Sequence, residues 1–194
     1  MSFTISNLYK AFNFLFPVTR NYFVLGNIIL TGLNPRFCVY NFAYQQCPDD
    51  GKSDQVTTLL NSNIGKKYLN ITQNGTYAVC SGPVYNNMQN DYLNTSVPAL
   101  EFVLSKRLKT IIYVGRRDWI CNELGNDDII KGLKWEFNNN FNNAQFVNYY
   151  VDGTLKGIQK SFGYLTYIKL TNCGHGSEQD DPVAVYDIME RMLN

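Results

Sequence analysis

The run Thr110-Ile111-Ile112-Tyr113-Val114, stopped by Gly115, is the feature that most constrains the fold. It is continuous in β-branched and aromatic residues, with no polar alternation. Such a run reads as a strand covered on both faces, the placement of strands in parallel sheets. A parallel neighbour needs a long crossover, so the run predicts an α/β chain. A second buried-strand candidate is Tyr164 to Leu170. Between the two, Asn126 to Leu133 suits a helix with Asn126 as its cap and Asp127 and Asp128 in its first turn. Asn138-Asn139-Asn140 and Asn142-Asn143 mark a loop. Gln145 to Tyr150 and Thr154 to Ser161 flank the hairpin pair Asp152-Gly153. Asp181-Pro182 opens a last helix carrying Val185, Ile188, Met189 and Met192.

Upstream of about residue 105 the pattern changes. Residues 31 to 97 are punctuated by Asn, Gly, Pro and Asp and read as irregular and surface-rich, with one amphipathic helix from Gln55 to Leu69 built on Val56, Leu59, Leu60 and Ile64. A further helix is predicted from Pro98 to Leu108, with Leu100, Val103, Leu104 and Leu108 on its apolar face. No internal repeat is visible.

Several classes of function are excluded by composition. A chain of 194 residues with 45% hydrophobic and 17% charged residues packs as one domain and is not disordered. A formal net charge of +1 supplies no field to draw nucleic acid or an acidic membrane surface. The apolar stretch Phe23 to Leu30 is interrupted by Gly26 and Asn27 and falls short of the ~20 residues of a membrane span. Met1 to Phe16 lacks the basic, apolar and small-residue regions of a signal peptide. Glycosylation acceptors stand at Asn70, Asn74 and Asn94, which predicts a lumenal or extracellular glycoprotein. The five cysteines, an odd number, leave at least one thiol free or paired outside the chain, and no Cys-x-x-Cys spacing suggests zinc. No metal or cofactor is expected.

The predicted order places Asp118, after Gly115-Arg116-Arg117, and His175, after Cys173-Gly174, at the carboxyl ends of two parallel strands. Catalytic groups of open α/β sheets gather at that edge. An aspartate on the Nδ1 side of an imidazole fixes its tautomer and stabilises the imidazolium formed when the other nitrogen accepts a nucleophile's proton. Taken bare, a lone histidine is more often structural, and Asp118 beside two arginines is more often an ion-pair partner.

The wording around both residues favours the catalytic reading. Tyr113-Val114-Gly115-Arg116-Arg117-Asp118-Trp119-Ile120-Cys121-Asn122-Glu123-Leu124-Gly125-Asn126 resembles the serine carboxypeptidase family, whose pattern there is Tyr-x-Gly-Asp-x-Asp-x-Ile-Cys-Asn-x-x-Gly-Asn. Gly174-His175 with Asp180 and Pro182 is similar to that family's Gly-His-Met-Val-Pro-x-Asp-x-Pro. The likeness continues through Trp135, the Asp152-Gly153 hairpin and Phe162 to Tyr167, and more loosely back to about Asn34.

The resemblance implies the C-terminal part of an α/β-hydrolase fold: a mostly parallel sheet flanked by helices, plus an irregular segment derived from a cap. Residues 1–33 match poorly, 34–97 are cap-proximal, and 98–194 carry the sheet. The implied activity is release of C-terminal residues from peptides by a Ser-Asp-His triad, without a cofactor. Asp118 would be the triad acid and His175 its base. Ile120, Cys121 and Asn122 would bind substrate, with Cys121 a free thiol. Cys38 and Cys47 flank a short aromatic segment as the one close cysteine pair. The family's usual partner just after Cys47 is replaced by the Asp49 to Asp54 stretch, so these two are expected to pair if any do. Cys80 matches a family cysteine that is bridged to the family's N-terminal half, and should be unpaired in this chain. The implied location is a lysosome or vacuole, or outside the cell.

The departures are specific. The family's Gly-Glu-Ser-Tyr nucleophile elbow does not occur in the sequence, nor do the segments supplying the oxyanion hole and binding the substrate carboxylate. The sequence therefore reads as a fragment or truncated form, inactive alone and partnered by a Ser-bearing N-terminal half. Arg116 stands where the family has an acid, and Gly176, Ser177 and Glu178 replace Met-Val-Pro. These changes leave a second reading open, a non-catalytic lumenal glycoprotein of the same fold. A third, a thiol hydrolase pairing Cys121 or Cys173 with His175, has the weakest support, because Cys121 already has a pocket-lining role and Cys173 is adjacent only in sequence.

Overall fold

The computed structural model describes residues 37–48, 52–72, 75–91 and 94–194. The poorly matching residues 1–33, the stretch Phe23 to Leu30 and the acceptor Asn74 lie outside them. The chain divides into two compact units, Pro48–Asn94 and the remainder.

Pro48–Asn94 carries α1 (Lys52–Asn61), α2 (Asn63–Tyr68) and α3 (Gly82–Asn87). The single helix expected from Gln55 to Leu69 is broken at Ser62. The Ser62 hydroxyl accepts the Gly65 amide and caps α2, so a good N-cap interrupts a periodic apolar pattern. Val56, Leu59 and Ile64, expected to form a buried face, are exposed. Asn61 ties the following segment back by a two-way bond: its Nδ2 donates to Tyr77 O at 3.0 Å and its Oδ1 accepts the Tyr77 amide at 2.8 Å.

The larger unit is a four-stranded sheet with helices on both faces. Its elements are α4 (Val97–Ser105), β1 (Thr110–Gly115), α5 (Glu123–Gly132), α6 (Asn138–Asn143), β2 (Val147–Val151), β3 (Thr154–Phe162), β4 (Leu165–Leu170), α7 (Ser177–Asp180) and α8 (Pro182–Leu193). Strand order is β1-β4-β3-β2. β1 and β4 pair in parallel, from Thr110↔Leu165 to Gly115↔Leu170, while β4–β3 and β3–β2 are antiparallel. The mostly parallel sheet implied by the resemblance is thus represented here by one parallel pair. The β2–β3 pairing follows from the hairpin at Asp152-Gly153, whose positive φ values of 48° and 73° fit its tight turn, and the β3–β4 pairing from the short turn after Phe162, where Gly163 has a φ of 56°.

β4 is the strand covered on both sides. Leu165 and Tyr167 face a core with Leu104 of α4, Val114 of β1, Ile130 of α5, Leu133 just after α5 and Phe141 of α6. Ile168 and Leu170 face the opposite core, with Tyr149, Val151, Cys173 and the α8 residues Ala184, Val185 and Ile188. Each large apolar side chain buried in this way contributes about 1.5–3 kcal/mol. β1, expected to be buried on both faces, has one neighbour among the described strands and leaves Tyr113 38% exposed.

Two further expectations are corrected. The helix placed at Asn126 begins at Glu123: Asn122 is the cap, its Oδ1 accepting the Gly125 amide at 2.9 Å, and Asn126 lies inside the helix. The asparagine run read as a loop forms α6. Asparagine is a poor helix former, but Phe141 in its middle is fully buried and packs on Trp135 with ring centroids 6.0 Å apart, so tertiary packing overrides propensity. α8 begins where expected, with Asp181 Oδ1 accepting the Ala184 amide.

Candidate active site

The parallel register brings the carboxyl ends of β1 and β4 side by side, and the turns that leave them stay in contact. The Arg116 amide donates to Leu170 O at 2.9 Å, and the Arg117 amide to Cys173 O at 2.8 Å. Asp118 and His175 follow on these turns. His175 Nδ1 stands 2.9 Å from Asp118 Oδ2, and Asp118 Oδ1 accepts the Cys121 amide at 2.9 Å. An ionised carboxylate can only accept, so Nδ1 carries the shared proton and Nε2 of a neutral ring is left as the acceptor. The two side chains differ in burial: 4% of Asp118 is exposed against 46% of His175. The acid is enclosed beneath a base whose ring reaches solvent. That arrangement can take a proton from a hydroxyl delivered to the open side of the imidazole.

The structure also places the other predicted residues. Ile120 and Cys121 are exposed on the turn after Asp118. Asn122 lies next to them, but its amide is engaged within its own segment, accepting from Gly125 and donating to Trp119 O. Arg116, where the family has an acid, points its guanidinium to Glu123 at 3.0 Å. Cys38 and Cys47 form a disulfide, and Cys80, Cys121 and Cys173 are free. Ser177, the serine nearest His175 in sequence, is buried and donates its hydroxyl to Gly174 O, not to the imidazole. Asn70 and Asn94 are exposed.

Neither thiol near the pair is activated. Partial desolvation, and next the Asp118 charge, raise the Cys121 thiol above its ordinary range. Burial, and then Asp181 and Asp180, push Cys173 up to about 11. A nucleophilic cysteine needs the opposite shift. Asp118, Cys121 and His175 do offer ligand atoms within 4.8 Å of one another. With one thiol held neutral and Nδ1 already committed to the carboxylate, three donors fall short of a structural zinc site.

Two further groups, Asp180 and Asn41, lie at the same edge. Asp180 Oδ2 accepts the Gly174 amide at 2.7 Å and the Asn41 side-chain amide at 2.9 Å, and the His175 amide donates to Tyr40 O at 2.7 Å. Asp180 was visible as part of the family motif. Asn41, more than a hundred residues upstream, carried no signal.

A parallel strand pair that delivers an acid and a histidine from adjacent carboxyl ends defines an α/β-hydrolase type of architecture. A prohormone-processing carboxypeptidase of Saccharomyces cerevisiae shares this fold at a TM-score of 0.62 and 19% identity, over 80% of this chain and 36% of that one. The serine carboxypeptidase profile matches residues 27–194, and the chain belongs to that family. Serine carboxypeptidase S10 family member 1 of Dictyostelium discoideum is 30% identical over 161 residues, covering 81% of this chain and 38% of that protein. Serine carboxypeptidase 3 of Oryza sativa is 30% identical over 115 residues, covering 59% of this chain and 23% of that protein. The chain therefore spans well under half the length of these relatives. Among the described residues no helix is long and apolar enough to cross a membrane.

Proposed function

We propose that this chain is the acid- and base-bearing part of a serine carboxypeptidase, releasing C-terminal residues from peptides when a Ser-bearing segment of the family completes the site. The observation that carries this reading is the pairing of His175 Nδ1 with buried Asp118 at 2.9 Å while the imidazole remains partly open to solvent. Asp118 holds the ring in one tautomer, and Nε2 accepts the serine proton as the hydroxyl oxygen attacks the scissile carbonyl. The same proton then passes to the leaving amine, and water repeats the sequence to free the enzyme. Ile120 and Cys121, exposed beside Asp118, line the subsite for the residue before the scissile bond, with Asn122 behind them as the cap of α5. Substrates are peptide or protein C-termini. The exposed acceptors Asn70 and Asn94, with Asn74, suit a glycoprotein of the lysosome, vacuole or extracellular space.

One observation favours the alternative of a non-catalytic glycoprotein with the same fold. Arg116 places a cation, paired with Glu123, where the family has an acid two residues before Asp118. The two readings separate when the chain is combined with a Ser-bearing family segment and given a peptide of known sequence. Stepwise loss of C-terminal residues by mass spectrometry supports the peptidase. An intact peptide, with complex formation verified, supports the binding protein.

A further inference from the structure

The loop closed by the Cys38–Cys47 disulfide touches both turns that carry the acid–base pair. On the aspartate side, the Trp119 amide donates to Val39 O at 3.2 Å and the Phe42 amide donates to Arg117 O at 3.0 Å, with Phe37 and Trp119 in edge contact at 5.5 Å. On the histidine side, the His175 amide donates to Tyr40 O, and the rings of Tyr40 and His175 lie 5.6 Å apart. Asn41 adds a side-chain link. Its Nδ2 donates to Asp180 Oδ2, the same oxygen that accepts the Gly174 amide, while its Oδ1 accepts the Ala43 amide at 3.1 Å. Asn41 is buried. The fit is close enough that a Cβ on Gly174 would fall 2.3 Å from Tyr40 O and 2.6 Å from the Asn41 Cβ.

We infer that this loop is a reducible clamp for the acid–base pair, in which Asn41 and Asp180 are positioning residues for His175. The turn after β4 is tied to β3 and to the β1 turn through Thr171, Asn172 and Cys173, whereas the amides of Gly174 and His175 are held by Asp180 Oδ2 and Tyr40 O, so the orientation of the ring toward Asp118 depends on what grips that last stretch of backbone. Four consecutive residues, Val39 to Phe42, grip the two turns at once, and the disulfide fixes the ends of the segment that carries them. Loss of the cross-link returns chain entropy to the loop and loosens both attachments together. Cys47 is exposed, which gives a thiol reagent access to the bridge. A dithiol such as dithiothreitol supplies the two electrons and two protons that turn the cystine into two thiols, and leaves as its own cyclic disulfide. The clamp bears on catalysis through the functional reading above, but its geometry is tested without turnover.

His175 is the single histidine of the chain, so its ring gives one unambiguous set of nuclear magnetic resonance signals in the full chain labelled at histidine nitrogen. The readout is the Nδ1-bound proton shared with Asp118, with backbone amides of β1 and β4 as the internal report on the sheet. Reduction with dithiothreitol, verified as a rise from three free thiols to five, is expected to weaken the Nδ1–H signal several-fold while the sheet amides stay in place. Asn41→Ala and Asp180→Ala should do the same with the disulfide intact. Asp180→Asn, which keeps an oxygen for the Gly174 amide, should retain most of the signal. An unchanged Nδ1–H signal after complete reduction would overturn the clamp, and so would loss of the sheet amides along with it, since the loop would then be a general staple. Absence of the signal from the oxidised chain, with native sheet amides, would overturn both the clamp and the pairing on which the functional reading stands.

Discussion

A Cβ on Gly115 would fall 2.2 Å from the carbonyl oxygen of Gly174, the residue before His175, and 2.5 Å from that of Cys173. The two turns can lie together only because β1 ends in a residue without a side chain. Gly115→Ala must push backbone against backbone, and the expected cost is about 2–4 kcal/mol. Gly153→Ala, where the added Cβ meets nothing within 4 Å and only the positive φ is strained, should cost about 1 kcal/mol. Denaturant unfolding of the two variants checks the order, and equal costs would contradict the close approach of the turns.

The free thiols should react in a fixed order. Cys80 and Cys121 are exposed and Cys173 is buried. Partial desolvation and Asp118 hold the Cys121 thiol up, and Cys173 is pushed up to about 11. Alkylation at neutral pH should therefore modify Cys80 first, Cys121 more slowly and Cys173 last. Asp118→Asn removes a negative charge that disfavours the thiolate, so Cys121 should react faster in that variant. Peptide mapping after timed iodoacetamide exposure gives both results, and a slower Cys121 in Asp118→Asn would reverse the assigned electrostatic effect.

Phe141 tests the asparagine-rich helix. Its side chain is fully buried between α6 and the sheet core, so Phe141→Ala should destabilise the chain by about 3–5 kcal/mol. A solvent loop at Asn138 to Asn143 would make the same change nearly silent in thermal unfolding.

What the sequence reveals and what it hides divide along a physical line. β4, the Asp152-Gly153 hairpin and α8 announce themselves because hydrophobic runs, turn residues and Asp-Pro caps act locally. The turns carrying Asp118 and His175 are legible from their motifs, and the parallel pairing of β1 with β4 follows from two buried-strand runs. α6 is not legible, since its stability comes from where Phe141 is buried and its asparagines point the other way. The start of α5 is misread because Asn126 has the side chain of a good cap, and only the turn leaving Asp118 makes Asn122 the residue that caps the helix. Asn41 is hidden for a different reason: its bond to Asp180 spans 139 residues and depends on a loop whose course is set by tertiary contacts.

The acid–base pair makes the sharpest demand on activity. A triad without its nucleophile and oxyanion donors has no means of stabilising a tetrahedral intermediate, and the oxyanion donors alone commonly contribute about 3–4 kcal/mol. The 194-residue chain by itself is therefore expected to show no hydrolysis of blocked dipeptides at acidic or neutral pH. Joined to a Ser-bearing family segment, it should hydrolyse them, and His175→Ala in the same complex should lower kcat by several orders of magnitude. Asp118→Asn should also be severe, on the order of 10⁴-fold, because a side-chain amide can donate to Nδ1 and favour the wrong tautomer. Steady-state rates for these complexes, each verified as assembled, decide the roles. Equal rates with and without His175 would remove it from catalysis. A mild Asp118→Asn effect would reduce the carboxylate to a structural support for the Cys121 amide. Turnover by the chain alone would mean that a nucleophile lies within this sequence after all.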